Sequence, residues 1–390
     1  MKFAHKALVA FGITAFMLSS AFAGYDETAE RIVNQSLAVK PGEIVLINGN
    51  ASDIDLMGAM QVAVNKAGGE TILQVGIPSA NKRSIMETPM EYLSQVRTGQ
   101  LTLVRMVDAV INVASIAEPG LFADVPEERL AATRQAGAAL NTAFTNTSIR
   151  SVTLGQTGGV PTDAYAKSIN ADPKAMKDMF WKAVSVEPDA LAMTARKISS
   201  MLAPGAKARI KTDDGTDLTF KIGTHGSRIN AGRTADVGAS QGGSSVWLPA
   251  GEAYTCIDVD SASGTVFIPS MQFRGKPVTD LKMSFKNGKM TGMSAGSNEK
   301  MLKEYFASTD DATKHLSVLS VGLNRESQPI EGSDYRSWEM GGMVTLGLGN
   351  NGWAGGDNNS DGAFTAHVLG STLEIGRTKV VSDGALARVR

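Results

Sequence analysis

The carboxylate best placed for chemistry is Glu252, in the segment Trp247-Leu248-Pro249-Ala250-Gly251-Glu252-Ala253-Tyr254-Thr255. A lone Glu after a Pro and a Gly, just ahead of a strand-like run, is held at a turn. A carboxylate so held can ligate a divalent cation or act as a general base. The same spacing also suits a solvated turn carboxylate. Imidazoles are few: beyond residue 23 only His225, His315 and His367 occur. None lies in H-E-x-x-H or another compact ligand spacing, so each alone reads as a surface or hydrogen-bonded histidine.

Nucleophiles are no better supported. A catalytic serine is expected on a strand-to-helix elbow such as G-x-S-x-G, which is absent, and Ser240 and Ser244-Ser245 lie in glycine-rich surroundings typical of loops. Cys256 is the only cysteine. With no imidazole beside it in sequence, it reads as a buried inert thiol. Neither G-x-G-x-x-G after the first strand nor G-x-x-x-x-G-K-[ST] is present, so no nucleotide fingerprint appears. Asn48-Gly49-Asn50 reads as a turn.

The elements that must position these groups divide into two. From Asp26 to about Leu202, short apolar runs (Ile44 to Ile47, Thr71 to Val75, Ala109 to Ala114, Ser151 to Leu154) alternate with helical periodicity over Leu56 to Ala67 and Glu127 to Phe144. Strands separated by helices imply a parallel, helix-covered sheet. Pro173 and Pro188 suit the first turns of two further helices, the second with a stripe of Leu191, Ala195, Ile198 and Leu202. After Pro204-Gly205 the pattern turns to hairpins, around Asp214-Gly215 and Asn287-Gly288. The stretch Gly341 to Gly362 reads as a strand entering a long loop. The expected fold is therefore an α/β N-terminal domain with a parallel helix-covered sheet (24–202), plus a β-rich (α+β) C-terminal domain (203–390).

Residues 1–23 read as a secretory signal peptide: Lys2 and Lys6, the apolar run Ala7 to Met17, then Ala21-Phe22-Ala23. The apolar run is shorter than the roughly 20 residues that span a bilayer. The expectation is an exported protein, periplasmic or extracellular, free of the membrane after signal removal. Removing Lys2 and Lys6 takes 38 basic against 39 acidic residues to 36 against 39, a formal charge of −3. Such a near-neutral balance argues against nucleic acid and leaves a peptide or other small-molecule ligand as partner.

The segment around Glu252 resembles the first metal-ligand motif of the aminopeptidase T (thermophilic metalloaminopeptidase) family, P-x-G-E followed by an aromatic and Thr. The resemblance covers most of the chain. Lys40-Pro41-Gly42-Glu43, Ala67-Gly68-Gly69, Gly215-Thr216-Asp217-Leu218, Gly264-Thr265-Val266 and Gly322-Leu323-Asn324 occur in the family's order. It implies a hydrolase that uses two divalent ions (zinc, cobalt or manganese) to activate water and remove N-terminal residues from peptides. A homodimer is also implied.

Residue by residue, Glu252 matches the first ligand, and Glu339 the acidic residue before the family's G-T-V-H segment. Val318 stands where the second glutamate is expected, Thr345 where G-T-V-H has its histidine, and Ala363 and Thr365 where S-x-x-H-x-D has imidazole and carboxylate. His367, Asp357 or Asp361 could restore part of the set by folding back, in which case Glu252, Glu339 and His367 converge at metal-ligand distances. Two functions follow as expectations: an exported aminopeptidase with a reduced metal site, or a non-catalytic descendant that keeps a groove for a peptide or another partner.

Overall fold

In this computed structural model, residues 24–387 are described, apart from 146, 156–157 and 238–243. The signal-peptide reading (1–23) and Ser240 lie outside the described residues. The apolar runs of the first half become parallel strands β1 (Ile44–Asn50), β2 (Glu70–Gly76), β3 (Ala109–Val113) and β4 (Arg150–Leu154). Val45, Ile47, Ile111 and Val152 face one side and join the main core with Leu56, Met60 and Ala63 of the helix Ile54–Lys66. On the other side Leu46 and Val110 meet Val104 and Leu140 of the helices Thr98–Met106 and Glu127–Thr145. Pro173 and Pro188 open the helices Pro173–Val184 and Pro188–Ser199, and Leu191, Ala195 and Ile198 are buried as the stripe requires.

Past residue 202 the strands are β5 (Lys207–Lys211), β6 (Asp217–Asn230), β7 (Ser245–Leu248), β8 (Glu252–Ile257), β9 (Ser263–Phe273), β10 (Lys276–Lys286), β11 (Lys289–Ser294), β12 (Leu316–Gly322), β13 (Val344–Gly349), β14 (Ala363–Val368), β15 (Thr372–Ile375), β16 (Thr378–Ser382) and β17 (Ala385–Leu386). Both expected hairpins form, β5–β6 and β10–β11. All but β7 belong to a 12-stranded sheet whose main path runs β14-β13-β12-β8-β6-β5-β15-β16-β17. The strand pairs of that sheet are antiparallel.

Strand β7 instead returns to the N-terminal sheet, whose order is β2-β1-β3-β4-β7. The sequence reading placed this segment in the β-rich half, yet Val246 and Leu248 pair in parallel register with Val152 and Leu154. The chain then needs only Pro249-Ala250-Gly251 to reach β8 in the other sheet. One short segment thus stitches the two sheets together beside Glu252. Asn48-Gly49-Asn50 is not a turn but the end of β1. No helix among the described residues is long and apolar enough to cross a membrane.

Candidate functional site

Glu252 opens β8, where its alternation places it on one sheet face with Tyr254 and Cys256. Gly251 before it has φ +126°, and a Cβ there would meet Asn324 backbone nitrogen at 2.9 Å. Asn324 Nδ2 donates to Ala250 O at 2.7 Å, and Leu323 N donates to Gly251 O at 2.8 Å. The P-A-G-E and G-L-N segments are therefore neighbours because glycine alone allows their backbones to approach so closely.

Cross-strand register extends this face. Gly322 lies opposite Glu252, Ser320 opposite Tyr254, and Val318 opposite Cys256. Thr345 follows Ser320 and pairs with His367, while Gly347 follows Val318 and pairs with Thr365. Gly322 has a further role, since a Cβ there would lie 2.1 Å from Met340 O and 2.5 Å from Trp338 O. Its lack of a side chain lets the segment bearing Glu339 cross the end of β12.

Glu252 is not the solvated turn carboxylate its spacing also allowed. It is fully buried, and Trp247 Nε1 donates to both of its oxygens, at 2.6 and 2.7 Å. Burial, with the like charge of Glu339 added to it, holds its pKa well above the ordinary glutamate value. Glu339 is also buried and also raised by burial, which two donated hydroxyl hydrogen bonds oppose, from Ser337 and from Ser327 Oγ at 2.7 Å. Of the two, Glu339 is the better stabilised anion and Glu252 the group that keeps its proton.

His367 is half-buried, with Nδ1 at 2.9 Å from Thr345 Oγ1 and its ring edge-on to Trp338. The surrounding protein, and then the positive charge of Arg336, push its imidazole down to about 3. Asp357 instead lies 2.8 Å from His225 Nε2, and Asp361 Oδ1 accepts from Asp310 N. Among the described residues, no three His, Cys, Asp or Glu side chains gather in a way that could hold a metal ion. The structure brings Glu252 and Glu339 together and leaves His367 on Thr345.

Around Val318, Ala363 and Thr365 the donor positions of the resemblance become the wall of a hollow of about 260 Å³. Trp247, Trp338 and Trp353 line it too, with Gly347, Leu348, Asn350 and Phe364. Trp353 packs on Trp247, Tyr254 and Trp338 with ring centroids 5.7, 5.3 and 5.7 Å away. Trp338 Nε1 has no hydrogen-bond partner among the described residues, and an indole N–H is a donor only, unable to ligate a cation. A divalent-ion pair requires several anionic or imidazole donors. This set of apolar side chains, indole, one threonine hydroxyl and the neutral amide of Asn350 does not fit it.

Beside the hollow, Trp247 and Trp353 also wall a larger cleft of about 660 Å³ between the two sheets. Asn48, Asn112, Thr153 and Arg228 line it and were not read from sequence as site residues. Their only signal was an Asn following one apolar run, Ile44 to Ile47, and another inside the run Ala109 to Ala114. Cys256 is buried, its thiol pushed up to about 11 by burial, as suits an inert position.

Comparisons with known proteins agree with this architecture. The structure is similar to wild-type AmpT from Thermus thermophilus, with TM-score 0.70 at 14% identity, covering 93% of this chain and 98% of that one. It is also similar to a 2,5-dihydroxypyridine dioxygenase from Pseudomonas putida, with TM-score 0.60 at 14% identity, covering 95% and 99%. At such identities the likeness is one of fold. A search of curated proteins gives no significant match. The family of thermophilic metalloproteases (M29) matches residues 24–339. With residues 24–339, most of the described chain, matched, this protein belongs to the thermophilic metalloprotease (M29) family.

Proposed function

We propose that this chain is an exported, non-hydrolytic member of its family that binds a peptide or another small ligand in the cleft between its two sheets. The observation that carries the reading is the state of Glu252. Its carboxyl, the one ligand position matched without ambiguity, spends both oxygens on the indole N–H of Trp247, and that tryptophan with valine and alanine walls the neighbouring hollow where further donors would be needed. A hydroxide-generating metal needs an open, anionic coordination sphere, and the residues lining the hollow offer no anionic or imidazole donor.

Purified protein should release no amino acid from unblocked di- and tripeptides, with or without added zinc, cobalt or manganese. Chelator-sensitive hydrolysis would instead support the second reading, an aminopeptidase with a rearranged site. That reading has one observation in its favour: Glu252 and Glu339 remain close enough for the charge of one to raise the pKa of the other.

Export is supported by the order of basic, apolar and small residues before Gly24, the residue at which the family match begins. Mass measurement of the chain recovered from its host should show loss of residues 1–23. A homodimer, implied by the family resemblance, is tested by sedimentation of the same material.

A further inference from the structure

Parallel sheets are ordinarily apolar on both faces, because helices cover both. Here one face is apolar apart from Thr71 and Arg150 near the strand starts, but the other turns polar toward the carboxyl ends of the strands. Gln74, Asn48, Asn112, Thr153 and Trp247 stand in register across all five strands. Asn48 Nδ2 donates to Asn112 Oδ1 at 2.9 Å, and Asn112 Nδ2 donates to Thr153 Oγ1 at 3.3 Å. The row passes through β1 and β3, from whose carboxyl ends the chain leaves in opposite directions, to β2 on one side and to β4 on the other. Crevices at such a switch point are where open α/β sheets bind ligands.

The opposite wall comes from the β-rich half, as Arg228, Tyr254 and Trp353. Arg228 is the only charged residue among the described lining. It makes no ion pair with the described residues, and its Nη1 donates to Trp353 O at 3.1 Å, which leaves most of its five N–H donors for a ligand. Phe144 and Leu140 contribute apolar lining. A cavity of about 660 Å³ has the size of a small-molecule site. No carboxylate is among the described lining residues, so a free α-ammonium, carried by every aminopeptidase substrate, meets no counter-charge from them.

We propose that this cleft binds a small monocarboxylate whose amine is acylated or absent. Arg228 takes the carboxylate, the Asn48–Asn112–Thr153 row takes amide or hydroxyl groups, and Trp353 and Phe144 take the apolar or aromatic part. The inference deepens the binding role proposed above and rests on it.

The test is calorimetric titration of the full mature chain with N-acetyl-L-phenylalanine, its neutral amide N-acetyl-L-phenylalaninamide, and the cationic L-phenylalaninamide. The carboxylate should bind best, ahead of the neutral amide by roughly tenfold or more, the weight of a charge-assisted hydrogen bond. R228Q should erase that preference and T153V should weaken both acetylated probes. Because Arg228 also supports the Trp353 loop, R228K, which keeps the charge, should retain part of the preference. Failure of the carboxylate to bind saturably, equal binding of the cationic probe, or an unchanged preference in R228Q would each overturn the inference. Hydrolysis of an unblocked dipeptide by the same preparation would overturn the non-hydrolytic reading instead, whichever probe binds.

Discussion

One indole nitrogen, Trp247 Nε1, serves both carboxyl oxygens of Glu252, at 2.6 and 2.7 Å, inside a site closed to solvent. That geometry holds the carboxyl by packing and a single donor. Burial favours its neutral form, and Glu339 beside it adds to the effect.

The pH dependence of stability follows. The folded pKa of Glu252 lies above the ordinary 4.5, so its contribution is complete below that value and is lost as pH rises through the folded one. E252Q cannot ionise. It should melt near the wild-type temperature at pH 4 and above it at pH 8, read by calorimetry at both. A mutant less stable than wild type at pH 8 would mean that the carboxylate form is the one the fold wants.

His367 has the opposite sign. Its folded pKa is pushed from 6.5 down to about 3, so its contribution is present above 6.5 and is lost as pH falls toward the folded value. H367Q keeps a hydrogen-bonding group for Thr345 and removes the titration. Melting curves should show it level with wild type at pH 8 and more stable at pH 4.5; a parallel pH profile for the two proteins would refute the assignment.

Gly322 holds the crossing of the Glu339 segment over β12. In G322A the new methyl meets two backbone carbonyl oxygens, Met340 O at 2.1 Å and Trp338 O at 2.5 Å, which cannot swing aside as a side chain would. Overpacking of this kind costs about 1–3 kcal/mol. Chemical denaturation should report that loss, together with a shift in tryptophan emission as Trp338 moves. Wild-type stability would show that the crossing is loose.

Cys256 sits in β8 with its thiol raised to about 11 by burial. Native protein at pH 7.5 should therefore resist an aromatic disulfide reagent and react fully once denatured. Rapid native labelling would place the thiol nearer solvent than the fold allows.

Much of the frame was legible in residue order. Apolar runs with β-branched residues became β1, β3 and β4, prolines marked two helix starts, and Asn287-Gly288 turned a hairpin. These signals are local, and so survive in a single chain read alone. The return of Ser245–Leu248 to the parallel sheet carried no local mark, because a short apolar strand looks the same in either sheet.

The site was less legible for the same reason. Spacing put Glu252 at the head of a strand but not under Trp247, and the row from Gln74 to Trp247 exists only once five strands are in register. The tryptophans that close the hollow come partly from the loops around Trp338 and Trp353, whose approach depends on packing rather than periodicity. Val318, Ala363 and Thr365 could be noticed as lacking donor atoms, yet only the fold places all three around one hollow.

The central claim is that this donor set does not hold a pair of divalent ions. Elemental analysis of the mature protein, purified without chelator and incubated with zinc, cobalt and manganese before exhaustive gel filtration, tests it directly. The expected metal content is far below one ion per chain for each element. A content near two ions per chain would contradict the account.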